Sequence, residues 1–509
     1  MAVKVYALPD AEAALALRSA LEENFADLIE TSDSIDIELY DTFDWRLYNN
    51  KRMLVRRGNH LAIIDLKNGA NLAEHTCRAV LLPKFSWNYP ASDFRELLES
   101  LADIRGLICV AKLTREQTIL RLLNEDTKTV GRVMLEKVVV QGQDVSTDQR
   151  VLVLPVKGYL REAKQAAKLL KANGLKRSTK PVYIRAIKSA GLNPGVYSPK
   201  VNIKLAPDIN TRDAVKRLLA YLAGVMRLNE DGIRQDIDTE FLHDFRVSVR
   251  RSRSLLSQVK GAFDPQTEAK LKTDLRILGQ LTGRLRDLDV YLLMQSHYET
   301  LVPEPLRPGV IRLFRSLKTK RRNELKKVVT AMESTEYTDI LSFLESFPKK
   351  DNDTVSEPAN ALVPAIDTAK TVIFKRFRKV IKSGGKITTA TPDEKIHNLR
   401  IECKKLRYLL EFFTSLFPAG EMKDLIKQLK ILQDNLGTFN DLSVQQDFLY
   451  DYLNAMRTPS ALSLQLAAAT GGLIVRLNIE QADVRRAFFN VFKQFNSKNN
   501  RKRFTKLFT

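Results

Sequence analysis

HDFRVSVRRSRSLL, residues 243–256, opens on a histidine and then repeats basic side chains at helical spacing. Counted from His243, Arg246, Arg250 and Arg253 stand at +3, +7 and +10, with Arg251 at +8. At about 100° per residue, His243, Arg246, Arg250 and Arg253 share an arc of roughly 80° on one helix face, and Arg251 lies on its flank. Leu255, Leu256 and Val259 continue the apolar side that would face a core. The run has a twin. HNLRIECKKLRYLL, residues 397–410, repeats the spacing with His397, Arg400, Lys404, Lys405 and Arg407, and Leu409, Leu410 and Phe413 supply its apolar side.

The offset between the twins is 154 residues, and it holds without a gap in both directions. LGQLTGRLRDLDV (278–290) falls on LQDNLGTFNDLSV (432–444), so that Gly283 meets Gly437 and Asp287 meets Asp441. Lys216 meets Lys370, Arg276 meets Lys430, and Arg322 meets Arg476. A register kept over such a span is the mark of an internal duplication. Apolar residues recur at i, i+3, i+4 and i+7 in Ala214–Leu228, Phe241–Val259 and Leu406–Phe417, so the region from Asp208 onward is expected to be all-helical. The polar stretch Lys349–Glu357 divides it into a first repeat, 207–350, and a second, 358–509.

Like charges stacked three and four residues apart destabilise an isolated helix by a few tenths of a kcal/mol per pair, roughly. An isolated basic helix is ordinarily a solvated face. Here the pattern occurs twice, with histidine in the same place, while most other side chains of the repeats differ. That points to an anionic ligand, whose oxygens would relieve the repulsion: arginine offers a planar fork, lysine a point charge, and a charged histidine two N–H donors. Asp287 and Asp441 read as helix caps or as partners that orient a nearby arginine, rather than as catalytic acids.

The bulk properties agree. The chain has 509 residues and a formal net charge of +22, a surplus large enough to suggest an acidic partner. Residues 1–200 carry 30 Lys/Arg against 24 Asp/Glu, whereas residues 201–509 carry 52 against 36, so the polyanion reading belongs mainly to the helical part. The three cysteines, Cys77, Cys109 and Cys403, are scattered and suggest neither a disulfide framework nor a thiolate metal site. No run of 18 uncharged apolar residues and no signal-peptide pattern is present, so no membrane span is expected and the cytoplasm is the expected compartment.

The first 200 residues read as mixed α and β, which makes the whole chain α+β. Strands are expected at Ile35–Tyr40, Leu61–Leu66, Arg132–Val140 and Arg150–Val156, and helices at Asp10–Glu23, Ser92–Ile104 and Gly158–Asn173. Gly174–Pro207, rich in proline and glycine, reads as a linker.

The duplicated H-x-x-R-x-x-x-[RK]-[RK]-x-R helices and the L-R-D-L-D-V segment (285–290) resemble the CHAD family, over about residues 207–495. The resemblance implies a pseudo-twofold pair of four-helix bundles whose basic helices line a central cleft that binds inorganic polyphosphate. It also implies that the ten basic residues of the twin runs are the binding positions, with Lys216, Arg276, Arg322, Lys370, Lys430 and Arg476 as weaker candidates. Association with polyphosphate granules goes with that reading. N-D-L-S (440–443) in place of R-D-L-D (286–289) departs from the pattern at one corner of the second repeat.

Y-D-T-F-D-W-R-L-Y (40–48), M-L-V-R-R (53–57) and I-D-L-K (64–67) resemble the CYTH family, which implies an antiparallel strand tunnel that hydrolyses triphosphate with metal ions. Arg56 and Lys67 match basic phosphate-contacting positions. The family's E-x-E-x-K strand, however, reads Val3-Lys4-Val5-Tyr6 here, and Glu38 and Glu136 stand singly. Basic groups without metal ligands hold phosphate but do not activate water. The domain is therefore expected to be a degenerate, non-catalytic one, with no metal, no cofactor and no catalytic residue. A metal-dependent triphosphatase in this domain is one alternative. Nucleic-acid binding is the other, supported by charge but not by exposed aromatics, of which Tyr408 is the exception, nor by any zinc-finger or RRM signature.

Overall fold

The computed structural model describes all residues except 1–2, 79–80, 143–145, 179–181, 350–357 and 456–460. The chain divides into two compact units, Met1–Tyr197 and Ser198–Thr509. Most of the Lys349–Glu357 divider lies outside the described residues.

The first unit is built on one antiparallel sheet. Its elements run β1 (Lys4–Ala7), α1 (Ala11–Glu22), β2 (Asp27–Thr42), α2 (Arg46–Asn49), β3 (Arg52–Arg57), β4 (His60–Asp65), β5 (Asn71–Thr76), α3 (Asp93–Ala102), β6 (Leu107–Leu123), β7 (Thr129–Val140), β8 (Ser146–Pro155), α4 (Leu160–Ala172) and α5 (Val182–Ser189). The eight strands are ordered β1-β8-β7-β6-β2-β3-β4-β5. The expected helix starts hold: Asp10 accepts from the Ala13 amide at 2.8 Å and Ser92 from the Arg95 amide at 3.4 Å. Strand β6 escaped the sequence reading because charged and polar residues at its centre (Thr114–Gln117) interrupt the alternation that Leu113, Leu120 and Leu122 otherwise provide.

The linker reading of Gly174–Pro207 needs correction. Within it, α5 buries Ala186 and Ile187 in the same core as Ile37, Leu39, Val55 and Leu113 of the sheet. An eight-residue helix between proline- and glycine-rich flanks is too short to show a helical period in sequence. The Y-D-T-F-D-W-R string also has a local purpose. Asp41, fully buried, accepts from the amides of Leu47 and Tyr48 at 2.9 and 2.8 Å and so caps α2, while Asp44 lies 3.4 Å from the buried Arg105.

The second unit is helical: α6 (Thr211–Arg234), α7 (Thr239–Gln258), α8 (Pro265–Leu281), α9 (Gly283–Leu293), α10 (Gln295–Leu301), α11 (Arg307–Met332), α12 (Thr335–Ser346), α13 (Ala365–Gly384), α14 (Asp393–Phe412), α15 (Ala419–Asn454), α16 (Ala461–Phe495) and α17 (Lys498–Phe508). The duplication is visible in the starts. Helices α6 and α13, α7 and α14, α8 and α15, and α11 and α16 each begin 154 residues apart. One difference stands out: α8 and α9 are separated at Thr282, where the second repeat continues as the single helix α15.

Two backbone hydrogen bonds show how the repeats are related. The Thr211 amide donates to the Val363 carbonyl at 2.9 Å, and the Ala365 amide donates to the Ile209 carbonyl, also at 2.9 Å. The 154-residue offset exchanges one bond for the other, which is the signature of a twofold contact, residue i meeting j and j meeting i. Thr211 and Thr368 share a further hydroxyl bond at 2.7 Å in the same place. The repeats are not separate bundles. Leu288, Tyr291, Val310, Leu313 and Phe314 of the first share one core with Leu442, Leu449, Leu466, Leu473 and Leu477 of the second. Removing a leucine from such a core costs about 2–5 kcal/mol. Gly309 permits the closest approach: a Cβ there would stand 2.6 Å from the Gln465 carbonyl oxygen of α16.

Candidate functional site

Helix α7 starts at Asp238, whose carboxylate accepts from the Glu240 and Phe241 amides. It buries Phe241, Leu242, Phe245, Val249, Leu255 and Leu256, which fixes its rotation and turns the basic stripe away from that core. Helix α14 buries Ile396, Leu399, Cys403, Leu406, Leu409 and Leu410 in the same way, and α7 and α14 pack against each other. Between them, with α9 and α15, lies a cavity of about 380 Å³.

The cavity is lined by equivalent positions of the two repeats. Arg246 and Arg400, Arg250 and Lys404, Arg286 and Asn440, Asp287 and Asp441, Val290 and Val444, and Tyr291 and Gln445 all contribute, each pair 154 residues apart. His243 joins them from the first repeat, while His397 places Nδ1 against the Asn440 side-chain oxygen. Five arginines and lysines thus meet two carboxylates in one half-open cavity.

Arg246 donates to the Gly279 carbonyl at 2.8 Å and to the Thr282 hydroxyl at 2.9 Å. Arg286 donates to the Thr239 carbonyl at 3.3 Å. Arg400 pairs with Asp441 at 3.1 Å. Tyr291 donates to the Val444 carbonyl at 3.2 Å, a bond from one repeat to the other. Arg250 and Lys404 form no ion pair among the described residues, although both line the cavity. The electrostatics record the crowding. Burial, then Arg400 and Arg250, push the Lys404 ammonium down to about 8. Burial and Arg250 also lower Arg246 and Arg400, although Asp287 and Asp441 respectively act the other way. Burial raises Asp287 against the pull of Arg246 and Arg286. An array of cations that depress one another is a site short of negative charge. It offers forked and point donors to an anion and no evident nucleophile.

The other sequence candidates lie elsewhere. Arg251, on the flank, is buried against Glu411 at 2.7 Å and lies over the Tyr408 ring at 5.8 Å. Lys405 pairs with Glu402 at 3.4 Å, and Arg407 with Glu411 at 2.7 Å. Arg251 ties α7 to α14, Lys405 and Arg407 pair within α14, and none of the three lines the cavity. Arg253 is exposed, beside Gly279. Lys216 is buried with its ammonium 5.9 Å from the Phe347 ring centre. Arg276, Arg322, Lys370, Lys430 and Arg476 are also absent from the lining. What the sequence reading missed is Arg286, with its counterpart Asn440. The signal was present, since Arg286 opens the R-D-L-D corner already quoted, at the offset of the asparagine that departs from the pattern.

The first unit holds a cavity of about 510 Å³ lined by Val5, Arg57, Asp65, Lys67, Arg115, Glu136 and Arg150, among others. Lys67 is there, but Arg56 is not. Successive strand residues point to opposite faces, so Arg57 lines this cavity while Arg56 turns to Glu38 at 3.5 Å on the other side. Glu136 is occupied by Arg150 at 2.9 Å, and Asp65 by Arg52 at 2.6 Å. Among the described residues, no group of three His, Cys, Asp or Glu side chains comes together as metal ligands do. No described helix is long and apolar enough to cross a membrane.

Comparison with known proteins gives two kinds of match. Two uncharacterized proteins of Mycobacterium tuberculosis, from strains CDC 1551 / Oshkosh and H37Rv, are each 26% identical over 255 residues, covering 48% of this chain and 47% of theirs. The matched region therefore spans about half the length of these relatives. Among solved structures, the CHAD domain from the plant Ricinus communis matches 57% of this chain and 94% of its own at 22% identity and a TM-score of 0.47. PptA from Streptomyces chartreusis matches 56% of this chain and all of its own at 16% identity and a TM-score of 0.43. The sequence model of the CHAD domain family matches residues 217–450, which take in both twin helices and every side chain named in the cavity between them, and over that span the chain is a CHAD domain.

Proposed function

We propose that the helical unit binds inorganic polyphosphate, without catalysis, in the cavity between α7 and α14. The observation that carries this reading is the pair Arg250 and Lys404. They occupy equivalent positions of the two repeats, meet in one cavity, and form no ion pair among the described residues. A linear polyphosphate brings one negative charge per phosphoryl unit, with oxygens spaced along an extended strand. It can neutralise both ridges at once and take the forked bonds of Arg246 and Arg400. Tyr291, buried, lines the same space and strengthens such bonds by lowering the local dielectric on its side. Association with polyphosphate granules is the cellular consequence of this reading.

Nucleic acid is disfavoured by the same geometry. A volume of about 380 Å³ suits a narrow strand; Phe241, Phe245 and Phe412 of the basic helices are buried, and Tyr408, half-buried, is engaged with Arg251 instead of standing free for a base. The test is competition. At matched phosphate concentration and moderate salt, long-chain polyphosphate displaces labelled single-stranded DNA from the full chain; displacement of polyphosphate by DNA would refute the assignment. Incubation of the chain with tripolyphosphate and Mg²⁺ or Mn²⁺, followed by phosphate measurement, separates binding from hydrolysis, and sustained phosphate release would show that the first unit is an enzyme.

A further inference from the structure

A second basic hollow lies in the first unit, on the face of the sheet opposite the cavity of Arg57 and Lys67. Alternation along β1 sends Val5 into that cavity and sends Lys4 and Tyr6 the other way, toward α4. Helix α4 packs Ala163, Ala166, Ala167 and Leu170 inward and carries Lys164, Lys168 and Lys171 at i, i+4 and i+7. Arg177 closes the rim. It is held by a β-bridge to Tyr6, and the neighbouring Ser178 amide donates to the Val5 carbonyl at 3.0 Å. The result is a hollow of about 250 Å³ lined by Lys4, Tyr6, Lys164, Lys168, Lys171 and Arg177, with Ala167 as its apolar wall.

Two features separate this place from an ordinary solvated lysine face. None of the five cations has an ion-pair partner among the described residues, and no carboxylate lines the hollow. Beneath them, Tyr6 is fully buried and its hydroxyl has no hydrogen-bond partner. A buried tyrosine ordinarily finds one for its O–H. A donor left unused under five uncompensated cations fits an oxyanion seated among them, accepting the Tyr6 proton at its base and the ammonium groups above.

We propose that this hollow is a binding site for a compact, multiply charged phosphoryl anion, of the size of phosphate or pyrophosphate, with the Tyr6 hydroxyl as its buried donor. The volume is below the roughly 300–1,000 Å³ of sites for larger organic ligands, which favours a small inorganic anion or a terminal phosphate group. The site is independent of the polyphosphate reading of the helical unit, since it uses none of its residues.

Pyrophosphate, titrated calorimetrically into the full chain, is the probe. To silence the helical cavity, the chain carries Arg246→Gln, Arg250→Gln, Arg400→Gln and Lys404→Gln. One saturable equivalent is expected to remain. Lys164→Glu with Lys168→Glu should weaken it by at least about tenfold, and Tyr6→Phe by about tenfold or more, the scale of a lost charge-assisted bond. Tyr6→Phe removes only the unpartnered hydroxyl, so its fold is safe. Absence of saturable pyrophosphate binding in this background would overturn the proposal. So would a Tyr6→Phe chain that binds pyrophosphate as tightly as its parent, because the hydroxyl would then be no part of a site. Crystals of the unaltered chain soaked in tungstate give an independent reading: density within hydrogen-bond reach of the Tyr6 hydroxyl supports the site, and tungstate bound only elsewhere overturns it.

Discussion

Where the first repeat lines the shared cavity with Arg246, Arg250 and Arg286, the second lines it with Arg400, Lys404 and Asn440. The frame is symmetric and the charge is not. The reason lies one helix back. Arg246 is anchored by neutral acceptors, the Thr282 hydroxyl and the Gly279 carbonyl, at the point where α8 gives way to α9. The position equivalent to Thr282 is Leu436, inside the unbroken α15, and it offers no hydroxyl. Arg400 turns to Asp441 instead, so its charge is already half spent, while Asp287 forms no ion pair among the described residues. An extended anion therefore meets the stronger field on the first-repeat side, with Lys404 reaching it from the second.

The comparison breaks most completely if the cations of both repeats are removed together. Arg246→Gln, Arg250→Gln, Arg400→Gln and Lys404→Gln in one chain should lower polyphosphate affinity by several kcal/mol, because charge-assisted bonds contribute about 1.5–3 kcal/mol each and their losses do not simply add. Calorimetry at fixed salt measures it, and the salt dependence of binding should flatten with the loss of phosphate contacts. Unchanged affinity in a folded variant would place the site elsewhere.

Next in size is the effect of pH, which isolates the second repeat. Lys404 titrates near 8 in the folded chain because burial and the neighbouring Arg400 and Arg250 disfavour its charge. The sign follows. An unfolded lysine titrates near about 10.4, so between those values the unfolded chain binds more protons, and the ligand-free protein gains stability as pH rises through that window. Bound phosphate reverses the preference and restores the proton. Polyphosphate affinity should therefore fall as pH rises above 8, with proton uptake on binding, visible as a buffer-dependent calorimetric enthalpy. Lys404→Arg keeps its charge and should abolish the uptake; an unaltered uptake would assign the proton to another group.

How much of this was legible in the sequence depends on the kind of order involved. The duplication needed only a constant offset, and the histidine-led runs lie inside α7 and α14, which each start four residues before the histidine. Helical spacing alone put His243, Arg246, Arg250 and Arg253 on one stripe, but only the first three reach the cavity, because a stripe some three turns long runs past the point where two crossing helices meet. Flank position 251 became a brace through Glu411 of α14, a partner whose approach is tertiary and has no local signature, whereas Lys405 turned to Glu402 three residues back on its own helix. In the sheet, a one-residue difference decides the face, and the motif that singled out Arg56 carried no statement of which neighbour pointed inward.

A smaller change sharpens the asymmetry. Asp441→Asn removes the carboxylate that holds Arg400 and leaves its shape. The freed guanidinium should raise polyphosphate affinity by about 1 kcal/mol, near fivefold, the scale of a partly exposed ion pair released to a stronger acceptor. Asp287→Asn, at the equivalent position, should raise it less, because Arg246 is already held by uncharged acceptors. Equal gains from the two substitutions, measured side by side, would show that the repeats present the same field after all.

The least effect is expected from the distant cations, and it tests whether the cavity or the overall charge attracts the ligand. Arg276, Arg322, Lys370, Lys430 and Arg476 lie outside the cavity lining. Neutralising any one removes a unit charge from a chain of +22 without touching a contact, and surface substitutions of this kind stay within about 0.5 kcal/mol in stability. Polyphosphate affinity of each glutamine variant at physiological salt should stay within about twofold of the parent, because charges beyond about 8 Å from the ligand are screened. If instead the five together weaken binding as much as the four cavity substitutions do, then the long-range field of the helical unit, and not the twofold meeting of α7 and α14, is what holds the anion.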